Sequence, residues 1–120
     1  MRIGVPRETK PGENRVAITP LAVRALRESG TEVVVETGAG AASGFEDREY
    51  LDAGAAIAAQ ASEAWSADLV VKVKEPLPAE FAYLSESFTL FTFLHLAAFP
   101  KLTEELLLRR VTSIAYETVV

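Results

Sequence analysis

The chain has 120 residues, 49% of them hydrophobic and 24% charged, with a formal net charge of −5 and no cysteine. That length supports one domain with a buried core, and the composition is that of a globular chain, neither disordered nor fibrous. An acidic balance with scattered basic residues offers nothing that would follow a phosphate backbone, so no nucleic-acid partner is expected. Without cysteine there is no disulfide framework, no thiolate nucleophile and no thiolate-bound metal. The N-terminus carries no apolar signal region, and runs such as Leu69-Val70-Val71 are far too short to span a bilayer. No membrane partner is expected, and a cytoplasmic location is the default.

In chain order, Arg2-Ile3-Gly4-Val5 is too short to stand alone and reads as the first strand of a sheet. A charged loop follows, and Thr19-Pro20 sets an N-cap residue before a proline at the first helical position. Arg15 lies on that loop. A permanently charged planar guanidinium leaving a strand end suits bidentate capture of a small carboxylate, and a solvated surface arginine is the structural alternative. The helix from Pro20 has Leu21, Ala22, Ala25 and Leu26 on its apolar face and Arg24, Arg27 and Glu28 opposite, and stops at Gly30. Thr31 to Glu36 is a strand whose continuous apolar middle fits burial on both faces, which implies a parallel sheet.

The stretch Thr37-Gly38-Ala39-Gly40-Ala41-Ala42-Ser43-Gly44 invites a dinucleotide-binding reading. Its spacing, G-x-G-x-x-x-G, is one residue too long for that fingerprint, and the next helix signal comes only at Phe45-Glu46-Asp47. A turn with close backbone packing is expected instead. A short helix over Asp47 to Asp52 ends at Gly54, and Ala55-Ala56-Ile57 is a minor extended piece. Ser62 caps a turn holding Trp65, which reads as core or interface packing.

Asp68 to Lys74 is a strand stopped by Pro76, and alternation puts Lys72 and Lys74 on one side. Lysines are depleted in buried strands, so these two protect an edge or serve a site. Pro78 to Leu84 is a short returning helix. Thr89 to His95 is an apolar strand ending on the only histidine, a proton donor and acceptor near neutrality or else a structural residue. A zinc site is not expected, since no second histidine and no cysteine could share it. Thr103 caps a helix running to Arg110, with acids in its first turn and arginines in its last, and Val111 to Glu117 is the final strand.

These elements predict an α/β fold: an open, mostly parallel sheet in a flavodoxin-like or Rossmann-like three-layer sandwich, as a single domain. In such sheets ligands sit outside the carboxyl ends of the strands. Arg15, Lys74, His95 and Glu117 each follow or terminate a different predicted strand. Two cations can hold a carboxylate, a histidine can move a proton, and a glutamate can orient a cation or tune its pKa. Nothing in that set calls for a nucleophile or a metal, so hydride or proton transfer is favoured over hydrolysis.

The chain resembles the N-terminal part of the alanine dehydrogenases, in the family shared with the proton-translocating nicotinamide nucleotide transhydrogenases. The matching stretches are Gly4-Val5-Pro6-Arg7-Glu8, Glu13-Asn14-Arg15-Val16-Ala17, Thr19-Pro20, Val71-Lys72-Val73-Lys74-Glu75-Pro76, Leu94-His95-Leu96-Ala97 and Tyr116-Glu117-Thr118. The resemblance implies that Arg15 and Lys74 hold the carboxylate of L-alanine or pyruvate and that His95 is the catalytic acid/base, with Glu13, Glu117 and Phe93 supporting. Phe93 stands where the family usually has a tyrosine. Transhydrogenase subunits typically lack a lysine at the Lys74 position, so that residue favours the alanine enzyme.

The implied reaction converts L-alanine, NAD and water to pyruvate, ammonia and NADH. No G-x-G-x-x-G follows a strand in these residues. The resemblance therefore implies that the NAD-binding domain of the family is absent from residues 1–120, that NAD does not bind this chain alone, and that the chain alone does not transfer hydride. A sheet left partly uncovered would favour a homo-oligomer. A non-catalytic module that binds small carboxylates or drives oligomerisation is the alternative from another class.

Overall fold

Six short runs, most of them β-branched or apolar and none stable outside a sheet, pair in parallel in the structure, a computed structural model that describes residues 1–119. They are β1 (Arg2–Val5), β2 (Glu32–Glu36), β3 (Ala56–Ala58), β4 (Leu69–Val71), β5 (Thr89–Thr92) and β6 (Thr112–Ala115). Their order is β3-β2-β1-β4-β5-β6, with every ladder parallel. This is the doubly wound order of the Rossmann type, not the flavodoxin-like one. The extended piece around Ala56 is a paired edge strand.

The helices are α1 (Pro20–Glu28), α2 (Asp47–Ala53), α3 (Ala61–Ala64) and α4 (Pro100–Leu108). Alternation along the strands divides the core into two layers. Ile3, Val5, Val33, Val35 and Val71 face Val23 of α1 and Tyr50 of α2, while Val70 and Leu90 face Trp65 and, from α4, Leu102 and Leu106. Tyr50 is fully buried, and its hydroxyl donates to the Ile18 carbonyl at 2.8 Å, tying α2 to the loop that enters α1. Gly4 is required by close approach: a Cβ there would overlap the carbonyl of Ala64, at the end of α3.

Several boundaries differ from the sequence reading. The buried position of α1 is Val23, and Leu21 is exposed, because the N-cap at Thr19 sets Ala22, Val23 and Leu26 towards the sheet. Gln60, not Ser62, precedes α3. The last long helix starts at Pro100, not after Thr103: the Thr103 amide donates to Phe99 O, and its hydroxyl back-bonds to Leu96 O and Phe99 O. Pro78–Tyr83 is a 3₁₀ helix, and strand geometry ends at Val71, Thr92 and Ala115, so the polar residues predicted at strand ends sit on the loops beyond them. The strand β4 lies between β1 and β5, which removes the edge-strand explanation of Lys72.

One consequence positions the site. From β1 the chain winds one way across the sheet to β2 and β3, and from β4 it winds the other way to β5 and β6. The loops leaving β1 and β4 diverge at this reversal and leave a crevice above their carboxyl ends.

Candidate functional site

The β1 exit loop, residues 6–19, brings Arg15 to the crevice. Arg15 donates from Nε and Nη2 to the two carboxylate oxygens of Glu13 at 2.9 and 2.8 Å, and its backbone N–H donates to the same carboxylate at 2.8 Å. The Glu13 side chain is 5% exposed beneath a guanidinium that is 63% exposed. Its carboxyl is held down at about 2, chiefly by the Arg15 hydrogen bond and more weakly by the positive field of Lys74. Glu13 and Glu8 in turn hold the Arg15 guanidinium in its charged form. The loop is fixed from its other side by Ser43, whose hydroxyl donates to Asn14 O at 2.6 Å.

Beside Arg15 opens a cleft of about 310 Å³ lined by Val16, Thr19, Ser43, Val73, Phe93 and Tyr116 among others. Its aromatic wall is ordered: Tyr116 meets Phe91 and Phe93 edge-on, with centroids 4.5 and 4.8 Å apart. Burial, reinforced by the charge of Glu8, pushes the Tyr116 hydroxyl up to about 12. Phe93 also stacks on His95 at 5.8 Å, so the histidine ring adjoins the cleft wall without lining it.

Lys74 enters from the β4 side. Its backbone is held at both ends: the N–H donates to Glu8 at 3.0 Å, and the carbonyl accepts from Thr92 Oγ1 at 3.0 Å. Its side chain forms no ion pair among the described residues. Lys72 is different. It is 1% exposed and reaches Glu8 at 3.2 Å and Glu80 at 3.5 Å, so its charge is spent inside the protein.

His95 sits in the left-handed region, with φ of 50°, at the turn after β5. Glu117 holds that turn by accepting the amides of Leu94 and His95 at 3.1 and 2.8 Å, which lowers its own pKa. The imidazole Nδ1 stands 3.8 Å from Glu117 and the ring is 45% exposed. The structure thus places Arg15 and Glu13 at the β1/β4 crevice, with Lys74 close enough for its charge to act on Glu13 though it does not line the cleft, and joins His95 and Glu117 to it through Phe93. Sequence reasoning missed Glu8 and Tyr116. Glu8 sits inside a matching family stretch, but only the register of β1 beside β4 reveals what it touches.

The glycine-rich loop does not offer a cofactor cradle. The Gly38 amide is bonded to Asp47 at 2.9 Å, and the amides of Ala39, Ala41, Ser43 and Gly44 all go to carbonyls of the loop or its entry. A Cβ on Gly40 would collide with Phe45 and Tyr50. Its glycines serve packing, and this loop is not a phosphate cradle. Among them, no helix is long and apolar enough to cross a membrane, and no group of three or more ligating side chains could hold a metal.

The strand order, with polar residues gathered at the reversal point, defines a doubly wound α/β domain with a polar crevice at its switch point. The chain belongs to the family described as "Alanine dehydrogenase/PNT, N-terminal domain", whose model matches residues 4–120. It is 56% identical over 119 residues to alanine dehydrogenase 2 of Staphylococcus aureus (strain Mu50 / ATCC 700699), covering 99% of this chain and 32% of that protein. Among solved structures it superposes on an L-alanine dehydrogenase with a TM-score of 0.97 and 52% identity, covering 98% of this chain and 33% of the other. A transhydrogenase from Sinorhizobium meliloti gives a TM-score of 0.90 with 29% identity, covering 98% of this chain and 35% of the other. The chain spans about a third of the length of these relatives.

Proposed function

We propose that residues 1–120 form the substrate-binding part of an NAD-dependent alanine dehydrogenase, which interconverts L-alanine and pyruvate with uptake or release of ammonia. The observation that carries the reading is the pair of cations on the loops leaving β1 and β4. Arg15 and Lys74 flank a crevice in which the chain's own Glu13 carboxyl is already held ionised at about 2. A field that stabilises one carboxylate there suits the carboxylate of a 2-oxo or 2-amino acid. The small cleft, walled by Phe93 and Tyr116, suits a substrate with a short side chain.

In this reading Arg15 and Lys74 bind and orient the carboxylate, and the His95 imidazole moves a proton at the substrate nitrogen or oxygen. Glu117 keeps the His95 turn in place. NAD supplies hydride chemistry when bound, and its binding part is proposed to lie outside these residues. The proposed enzyme works in the cytoplasm. Self-association is part of the reading, supported by exposed Leu107, Leu108 and Ile114 near the open edge of β6. Sedimentation showing only monomer at every concentration would count against it.

The test is steady-state kinetics of the full-length protein. Arg15→Ala and Lys74→Ala should each raise the KM for pyruvate, and His95→Ala should lower kcat. An enzyme whose pyruvate KM ignores both cations would overturn the assignment. The likeness to the transhydrogenase keeps a second reading, a transhydrogenase subunit, and hydride exchange between two nicotinamide nucleotides without alanine would establish it.

A further inference from the structure

Two glutamates repeat one device at the carboxyl edge of the sheet. Where β5 ends, Glu117 from the β6 exit accepts the amides of Leu94 and His95. Where β4 ends, Glu8 from the β1 exit accepts the amides of Val73 at 2.9 Å and Lys74 at 3.0 Å. In each case the neighbouring strand has left the sheet, and a carboxylate supplies the acceptors that a longer strand would have given. Such amide-to-carboxylate bonds are stronger than the ladder bonds they replace. One of the two clamped turns carries the histidine, and the other carries the lysine.

We infer that Glu8 is a positioning residue that sets where the Lys74 ammonium stands, by clamping the backbone from which that side chain leaves. The inference rests on the role given above to Lys74. Glu8 itself cannot meet a substrate: its side chain is 3% exposed and turned to Lys72, whose Nζ approaches the same oxygen that receives the Lys74 amide. Lys72 is the buried cation paired with this carboxylate, and Glu80 shares it. With the Lys74 carbonyl also tied to the fully buried Thr92, both polar ends of that residue's backbone are fixed and only its side chain can respond to a ligand.

The experiment is a double-mutant cycle in the full-length protein, with KM for pyruvate, KM for NADH and kcat measured for Glu8→Gln, Lys74→Ala and the pair. Glu8→Gln keeps the volume and one acceptor but loses the charge. It should raise the pyruvate KM on the order of tenfold, because a small misplacement of a binding group is costly, while the NADH KM stays the same. In the Lys74→Ala background it should change the pyruvate KM by less than about twofold, since both substitutions act through one ammonium. A merely structural Glu8 would lower the active fraction, and hence kcat, without moving the pyruvate KM. Thr92→Val, which removes only the second tether, provides an independent variant should Glu8→Gln fold poorly, and it should show a smaller effect with the same dependence on Lys74. An unchanged pyruvate KM in the Glu8 or Thr92 variant beside a raised one in Lys74→Ala, or effects that multiply, would overturn the inference. An unchanged KM in Lys74→Ala would instead sink the role assigned to that lysine, and the inference with it.

Discussion

Replacing Lys72 by methionine tests the buried ionic cluster on which the β4 exit is built. Lys72 is 1% exposed, and its ammonium is the partner of two carboxylates, Glu8 at 3.2 Å and Glu80 at 3.5 Å, which are themselves nearly covered. Methionine approximates the lysine stem in shape, so little cavity is made and the effect is electrostatic. Removing one partner of a buried pair costs roughly 3–5 kcal/mol, because the remaining charge has neither water nor counter-ion. Against a domain stability of about 5–15 kcal/mol, that removes at least about a fifth of the total. The assay is urea denaturation followed by circular dichroism, with the midpoint falling and the slope unchanged. The companion Lys72→Met/Glu80→Gln should recover part of the loss, since one orphaned carboxylate is neutralised. A loss under about 1 kcal/mol, the worth of an exposed ion pair, would refute the account of this cluster.

Other expectations follow from packing and titration. Gly4→Ala should destabilise by at least about 1–3 kcal/mol, read from thermal melting, because its Cβ must displace the Ala64 carbonyl that closes α3 onto β1. Tyr50→Phe leaves the Ile18 carbonyl without its donor and should cost about 1–3 kcal/mol in the same assay. Tyr50 and Tyr116 are both raised to about 12, so their contribution to stability is complete below the ordinary tyrosine value near 10 and is lost as pH rises from there through about 12. Ultraviolet titration should show both ionising late; a Tyr116 that ionises normally would mean that the aromatic wall of the cleft is open to water. Glu13 has the opposite sign. Lowered to about 2, it contributes stability fully above the ordinary carboxylate value and loses it as pH falls through about 2, which carbon-13 NMR of its carboxyl can follow.

Much of this fold is legible in the residues. Runs such as Val33-Val34-Val35 and Val70-Val71, separated by capped helices, leave few arrangements other than a parallel sheet with helices on both faces. Arg15 and Lys74 could be placed at strand exits for the same reason, before any contact was known. Lys72 resisted that reasoning. Alternation pairs it with Lys74, but β4 ends at Val71, and beyond it the two lysines have different fates, one buried in an ion pair with Glu8 and the other in no ion pair among the described residues. Glu8 and Tyr116 were illegible because each acquires its role from a neighbour far along the chain: Glu8 from β4, and Tyr116 from the β5/β6 register that sets it against Phe91 and Phe93. Helix starts were misjudged where a good capping residue lies inside the helix, as at Ser62 and Thr103.

The most direct test of a carboxylate site at the β1/β4 crevice is pyruvate titrated into the nitrogen-15-labelled chain and followed by amide NMR, with Arg15→Ala and Lys74→Ala alongside. The account predicts saturable shifts centred on Arg15, Val73, Lys74 and Tyr116 that vanish in both variants. Shifts that persist undiminished in both variants, or that centre on residues 38–44 instead, would contradict it.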